Sequence, residues 1–151
     1  MMRSMRWTAL SFPELSVDDL YELLALRQLV FVVEQRCPYL DCDGKDRAAI
    51  HLLGRDDDGR LVAYARLLSP GTSFAEASIG RVVTHPAVRR TGAGRELMSE
   101  AIARTRMAFG PGPIRIGAQQ YLERFYGDLG FRIASAPYDE DGIPHVEMLL
   151  P

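Results

Sequence analysis

The sequence predicts one α/β domain in which short apolar strands alternate with amphipathic helices. Three observations carry that expectation. Strand-like apolar runs recur between helical stripes along residues 6–150, and glycine or proline punctuates most boundaries. A chain of 151 residues, 47% hydrophobic and 25% charged, supplies an ordinary globular core. The expected unit is a single domain spanning 1–151.

Taken in order, residues 6–12 alternate weakly and stop at Pro13, as a first strand would. Ser16 is placed as an N-cap with Asp19 at N3 of a capping box, and Leu15 and Leu20 suit a hydrophobic staple. Leu20, Leu23, Leu24 and Leu26 make an apolar face, so a helix is expected to about Phe31, with β-branched crowding at 30–33 loosening its end. Residues 37–47, with Pro38, Asp41, Asp43 and Gly44, read as loop. They fail as a calcium loop, because Gly44 falls at the fourth place rather than the sixth.

Strands 50–54 and 61–68 flank Asp58-Gly59, a hairpin signal. Residues 75–79 lead into a central strand, 79–84. A helix from Gly94 carries Leu97, Met98, Ala101, Ile102 and Thr105 on one stripe, and GPGP at 110–113 stops it. Strand 114–118 follows, and Gln119-Gln120 lead to a short helix faced by Leu122, Phe125, Tyr126 and Leu129. Gly130 is its αL C-cap. Strands at 131–135 and 145–150 flank a loop, 137–144. The order is β-α-ββ-β-α-β-α-ββ.

A net charge of −2 argues against a nucleic-acid binder. No apolar run approaches the roughly 20 residues of a membrane span, and the N-terminus resembles no signal peptide, so a cytoplasmic protein is expected. Cys37 and Cys42 lack both the spacing and the second pair of a zinc site, and read as ordinary thiols. No metal is expected.

Chemistry gathers at 79–98, IGRVVTHPAVRRTGAGRELM. The strand breaks at His85-Pro86, a loop delivers Arg89-Arg90-Thr91-Gly92-Ala93-Gly94, and a helix opens. Glycines let backbone N–H groups approach a ligand closely, and a helix start favours phosphate. Arg89 and Arg90 add forked, permanently charged donors. From Ala77 to Arg95 the arginines are Arg81, Arg89, Arg90 and Arg95, with no acid among them. The stretch reads as a pyrophosphate cradle. Neither a third dinucleotide glycine, where Leu97 stands, nor a Gly-Lys-Ser/Thr is present.

That stretch, followed by GAQQYLERFYGDLGF, resembles the acetyl-CoA-binding core of the GNAT N-acetyltransferase superfamily. FVVEQRCPYLDCDGKD, VAYARLL and YDEDGIPHVEM resemble, more narrowly, its bacterial ElaA group. The matching segments run from about Leu15 to Met148. The resemblance implies an α/β (α+β) GNAT acyltransferase fold. Its mixed, mostly antiparallel sheet would splay at a central parallel pair, 79–84 and 114–118, with helices on both faces. It implies that pantetheine pairs with the backbone of Val82 and Val83, and that Arg89, Arg90, Thr91, Gly92, Ala93, Gly94 and Arg95 wrap the pyrophosphate.

Tyr126 falls on the family position for the general acid that protonates departing CoA; core packing is its plain alternative. A backbone N–H near Val83 would be the oxyanion donor. The base stays open among Glu34, Asp43, His145, Glu147 and water. The implied function is acetyl transfer from acetyl-CoA, as cosubstrate, to a small-molecule or peptide primary amine by direct attack in a ternary complex.

GNAT domains often dimerise, and no nucleic-acid or membrane partner is implied. Asp41, Asp43, Asp139, Glu140 and Asp141 lie in loops that the resemblance places near the acceptor side, which implies a cationic acceptor; solvated loop acids with no substrate role are the alternative. The alternative is a CoA-binding sensory or interaction module without turnover. A metal-binding protein using Cys37, Cys42 and His51 is a third class.

Overall fold

The computed structural model describes residues 4–151. Strand β1 (Arg6–Ser11) leads to α1 (Val17–Arg27), which opens with the expected capping box: Ser16 Oγ accepts from Asp19 N at 2.9 Å, and Asp19 Oδ2 accepts from Ser16 N at 3.0 Å. The α geometry ends at Arg27, four residues before the expected Phe31. The chain continues as a wider π-helical turn, Gln28–Glu34. Crowded β-branched side chains at Val30, Val32 and Val33 disfavour tight α packing. The widened turn buries Val30 and Phe31 and leaves Glu34 at its outer end.

Strands β2 (Ile50–Arg55), β3 (Leu61–Leu68) and β4 (Ser78–Thr84) follow, and β1-β2-β3-β4 form an antiparallel sheet. Gly54 lies under the Trp7 indole, where a Cβ would stand 2.5 Å from the ring. Helix α2 (Ala93–Phe109) crosses to β5 (Ile114–Gln119), the connection a parallel neighbour requires. After α3 (Glu123–Asp128) come β6 (Arg132–Ile133), β7 (Tyr138–Glu140) and β8 (Ile143–Leu150). Strand β8 pairs antiparallel with all three of β5, β6 and β7.

Two differences from the sequence reading fall here. The expected strand at 131–135 pairs only over Arg132–Ile133. The expected loop at 137–144 is a hairpin, β7 turning into β8 through Asp141 and Gly142 at φ +52° and +79°. Two successive positive φ values define the tight turn that an Asp-Gly pair favours. The exposed, polar run Tyr138-Asp139-Glu140 gave no apolar alternation to mark it as strand.

The two half-sheets meet at one parallel bridge, Ala77 with Ile114, where Arg115 N donates to Ala77 O at 3.0 Å. Beyond it β4 and β5 separate, as the splayed pair requires. Helices cover both faces. Leu97, Met98 and Ala101 of α2 pack with Ala63, Ala65, Leu67 and Ile79, while Leu23, Leu26 and Phe31 pack with Leu53, Tyr64 and Val83. Alternate residues of β3 therefore serve opposite helices, and all eight are buried. Burying Leu97 or Met98 stabilises by roughly 1.5–3 kcal/mol each. Ile102, expected on the buried stripe, is half-exposed, and Thr105 is buried with its hydroxyl on Ala101 O.

Candidate active site

The register of β3 on β4 shifts between Tyr64 and Arg66, which pair with Val83 and Gly80. Strand β4 thus holds one extra residue, and Arg81 takes it up at φ +49°. The bulge bends β4 away from β5. A cleft of about 660 Å³ opens between them, walled by Ile79–Thr84, Ile116, Gly117 and Gln119, the end of the π-helical turn, and the start of α2. A larger hollow of about 1010 Å³ lies on the other side of the 85–93 loop. It contains none of Val82, Val83, Gly92, Gly94 and Tyr126, all of which line the cleft.

At the open end of the cleft, Arg90 and Gly92 turn the chain at φ +63° and +86°. Gly92 is the N-cap of α2 and offers no capping side chain; the first amide bonded back to it is that of Glu96. The amides of Ala93, Gly94 and Arg95 are left at the positive end of a 17-residue helix. Arg89, Arg90, Gly92, Ala93, Gly94 and Arg95 all line the cleft with Val82 and Val83. Thr91 is the exception among the expected residues. It borders the other hollow, and its hydroxyl donates back to Val88 O. A Cβ on Gly94 would meet only Phe125, at 3.7 Å, so the space above it is the cleft itself.

Tyr126 comes from α3 and is 6% exposed, its ring edge-on to Phe125 and Phe131 at 5.1 and 5.9 Å. It packs in the core and also borders the cleft. Burial pushes its phenol up to about 12.

The four side chains weighed as a base part company. Glu34 Oε1 and Oε2 accept from Arg89 Nη2 and Nη1 at 2.6 and 2.9 Å, and that forked contact lowers its pKa. Burial opposes ionisation of Asp43, but hydrogen bonds from Arg66 at 2.7 Å outweigh it and hold the carboxyl far below the carboxylate range. Glu147 pairs with Arg115 at 3.1 Å, outside the cleft lining. His145 lines the cleft, with Nδ1 2.7 Å from Ile143 O and Nε2 3.2 Å from Glu140 Oε2. With Nδ1 donating to that carbonyl, Nε2 is the nitrogen left for chemistry.

The loop acids are distributed in a way the sequence did not suggest. Asp41, Asp43 and Asp46 interleave with Arg27, Arg66 and Arg81 in a buried ionic network. Asp41 and Asp43 are therefore bound by arginines rather than offered to a cationic acceptor. Glu140 and Asp141 do line the cleft, while Asp139 caps the turn by accepting from Gly142 N at 3.3 Å. Phe31, Tyr39 and Gln119, not singled out from sequence, complete its inner wall. Cys37 is buried and Cys42 exposed; the two are unpaired. Among the described residues no group of acids, histidines and cysteines is arranged to hold a metal, and no helix is long and apolar enough to cross a membrane.

A sheet splayed at one parallel bridge, over a glycine–arginine turn that opens a helix, defines an acyl-CoA N-acyltransferase fold. A family model described as an acetyltransferase (GNAT) domain matches residues 43–150, and the chain belongs to that family. Within it the chain is similar to ElaA of Escherichia coli, 44% identical over 144 residues covering 94% of each protein. A UPF0039 protein of Synechocystis is 45% identical over 143 residues, 95% of this chain and 93% of that one. The crystal structure of E. coli ElaA superposes with a TM-score of 0.91 at 41% identity, over 98% of this chain and 100% of the other. An acyl-CoA N-acyltransferase from Pseudomonas aeruginosa gives the same TM-score at 40% identity and the same coverage.

Proposed function

We propose that this chain, acting as one domain, transfers acetyl from acetyl-CoA to a primary amine by direct attack in a ternary complex. The observation that carries the reading is that a glycine–arginine turn at a helix start and a buried phenol border one cleft. The open space over Gly94 and the uncapped amides of Ala93, Gly94 and Arg95 fit a pyrophosphate. Arg89, Arg90 and Arg95 would hold it, and Thr91 would contribute only backbone. Val82 and Val83 would offer backbone partners to the pantetheine amides.

The chain's residues then have separate tasks. The backbone N–H near Val83 stabilises the negative charge that develops on the carbonyl oxygen. Tyr126 donates toward the departing sulfur. The amine attacks only when neutral, and His145 Nε2 takes its proton, directly or through water. Ile143 O orients the imidazole through Nδ1, and Glu140, 3.2 Å from Nε2, would stabilise the imidazolium once Nε2 has taken the proton. A covalent route finds no support, since among the described residues the Cys37 Sγ has the carbonyl oxygens of Gln35 and Asp141 as its hydrogen-bond partners, both at 3.6 Å, and no base. A cytoplasmic setting belongs to the same proposal, from its substrate and its unpaired thiols.

Gly92→Val is a poor probe of the cradle, because φ +86° would strain any side chain there. Gly94→Val is the better one: the residue is helical and its Cβ has room. It should weaken CoA binding at least roughly tenfold while the folded state persists, since valine and glycine differ little in helix propensity. Calorimetry with CoA checks this, and unchanged affinity in the folded variant would remove the cradle assignment.

The Glu34–Arg89 pair predicts opposite signs for its two members. Arg89→Ala should weaken CoA by roughly 1.5–3 kcal/mol, the value of charge-assisted hydrogen bonds. Glu34→Gln should tighten it, because the guanidinium no longer has a carboxylate competing with phosphate. Parallel losses in both variants would mean that the pair acts as a unit to shape the loop.

His145→Ala should lower kcat about 10²-fold with CoA affinity retained, and added imidazole should restore part of the rate. Full activity in this variant would give the base role to water. The overall reading is tested by acetyl-CoA consumption across amine classes; CoA bound without consumption on any amine would point to a sensory module.

A further inference from the structure

Resting on the acetyl-transfer reading, we infer that Arg81 anchors a carboxylate of the acceptor, so that the amine substrate is an amino-carboxylate of amino-acid type. Three features of Arg81 lead there.

The first is its backbone. Arg81 occupies the left-handed region inside a strand, at φ +49°, where a glycine would sit without strain. Gly80 is its neighbour and does not adopt such a φ. The chain keeps a large side chain at the strained position and the glycine beside it.

The second is its hydrogen bonding. Arg27 and Arg66, the other cations of the ionic network, are buried and bond their acids at 2.6–2.7 Å. Arg81 is 26% exposed and lines the cleft. Its Nε lies 2.9 Å from Asp41 Oδ1 with the N–H not aimed along the contact, and Nη2 is 3.7 Å from Asp43 Oδ2. Among the described residues its buried Nε makes no well-formed hydrogen bond, a feature it shares with Arg66 Nε, whose Nη atoms are nonetheless bonded to Asp43 and Asp46. Asp41 Oδ2 already accepts from Arg27, and both oxygens of Asp43 accept from Arg66. Those acids hold the guanidinium in place and offset its charge without satisfying its Nε. Phe31 supports it from the side, with Cζ 5.9 Å from the ring centroid.

The third is the opposite wall. Glu140, Asp141 and His145 line the same cleft. A planar, partly exposed guanidinium on one side and acids with an imidazole on the other match a molecule carrying both a carboxylate and an amine. A polyamine would bring charge against Arg81.

The test uses the whole protein and matched acceptors: L-amino acids, each beside its carboxamide and its decarboxylated amine, with acetyl-CoA turnover as the rate. For the preferred amino acid, kcat/KM should exceed that of its two counterparts by roughly 10–100-fold, mostly through KM. Arg81→Gln should erase that difference, and Arg81→Lys should recover part of it. Equal rates for matched acceptors in the unaltered protein would overturn the inference, and this comparison needs no variant to fold. Discrimination that survives Arg81→Gln while CoA affinity falls would also overturn it, assigning Arg81 to the cosubstrate. If CoA binds and no acceptor turns over, thermal shift of the CoA complex with millimolar amino acids decides: no shift overturns the inference. Failure of CoA to bind at all is a separate result, and it removes the acetyl-CoA reading itself.

Discussion

Replacing Tyr126 by phenylalanine is expected to lower kcat by roughly 10²–10⁴-fold, the usual worth of a general acid, with KM for acetyl-CoA nearly unchanged. The substitution keeps the ring against Phe125 and Phe131 and removes only the hydroxyl. Burial raises the phenol to about 12, so it stays protonated throughout the physiological range. It is correspondingly a weak acid. In the proposed reaction its proton moves only as charge builds on sulfur, and the second proton, lost from the nitrogen after attack, refills it. The pH sign follows: the active form is the protonated one, lost only as pH rises through about 12. The alkaline side of the kcat profile should therefore show no ionisation of Tyr126 up to about pH 10. Near-normal turnover by Tyr126→Phe would leave this residue a packing role alone.

The second large effect concerns stability. Arg27 is fully buried and donates from Nε to Asp41 Oδ2 at 2.6 Å and from Nη1 to Asp46 Oδ1 at 2.7 Å, with Cζ 5.8 Å from the centre of the Tyr64 ring. Removing one partner leaves buried carboxylates undercompensated, which typically costs ~3–5 kcal/mol. Arg27→Ala should lose about that much in a denaturant titration, whereas Arg132→Ala on exposed β6 should change stability by less than about 0.5 kcal/mol. Equal small losses in both would show that Arg66 and Arg81 can neutralise the aspartates without Arg27. The network also fastens the 37–46 loop, which brings Tyr39 to the cleft, so the acceptor KM should rise in Arg27→Ala as well.

Local signals in the chain were sufficient for most elements. The Ser16 capping box, the Asp58-Gly59 turn, the stripe of α2 and the Gly110 stop each act between near neighbours, and each lies where the residues put it. One local signal was passed over: Asp141-Gly142 carries the same turn chemistry as Asp58-Gly59, but an exposed polar strand precedes it. The turn that opens α2 was also legible, because a glycine turn feeding a helix start is a contiguous device.

What residue order alone determined is most of the run of strands and helices, the glycine–arginine turn that opens α2 and the helical face that carries Phe125 and Tyr126. What only the tertiary structure decided is how the charges are spent. Asp41 and Asp43 looked like solvated loop acids, and they are clasped by Arg27, Arg66 and Arg81. Glu34 looked available as a base, and Arg89, 55 residues away, takes both its oxygens. Hydrophobic periodicity is read within one element, since one face of a helix or strand must be buried whatever covers it. A charged side chain has no such period. Its state depends on which opposite charge the fold brings within about 4 Å and how much water remains there, and neither is encoded in its neighbours along the chain.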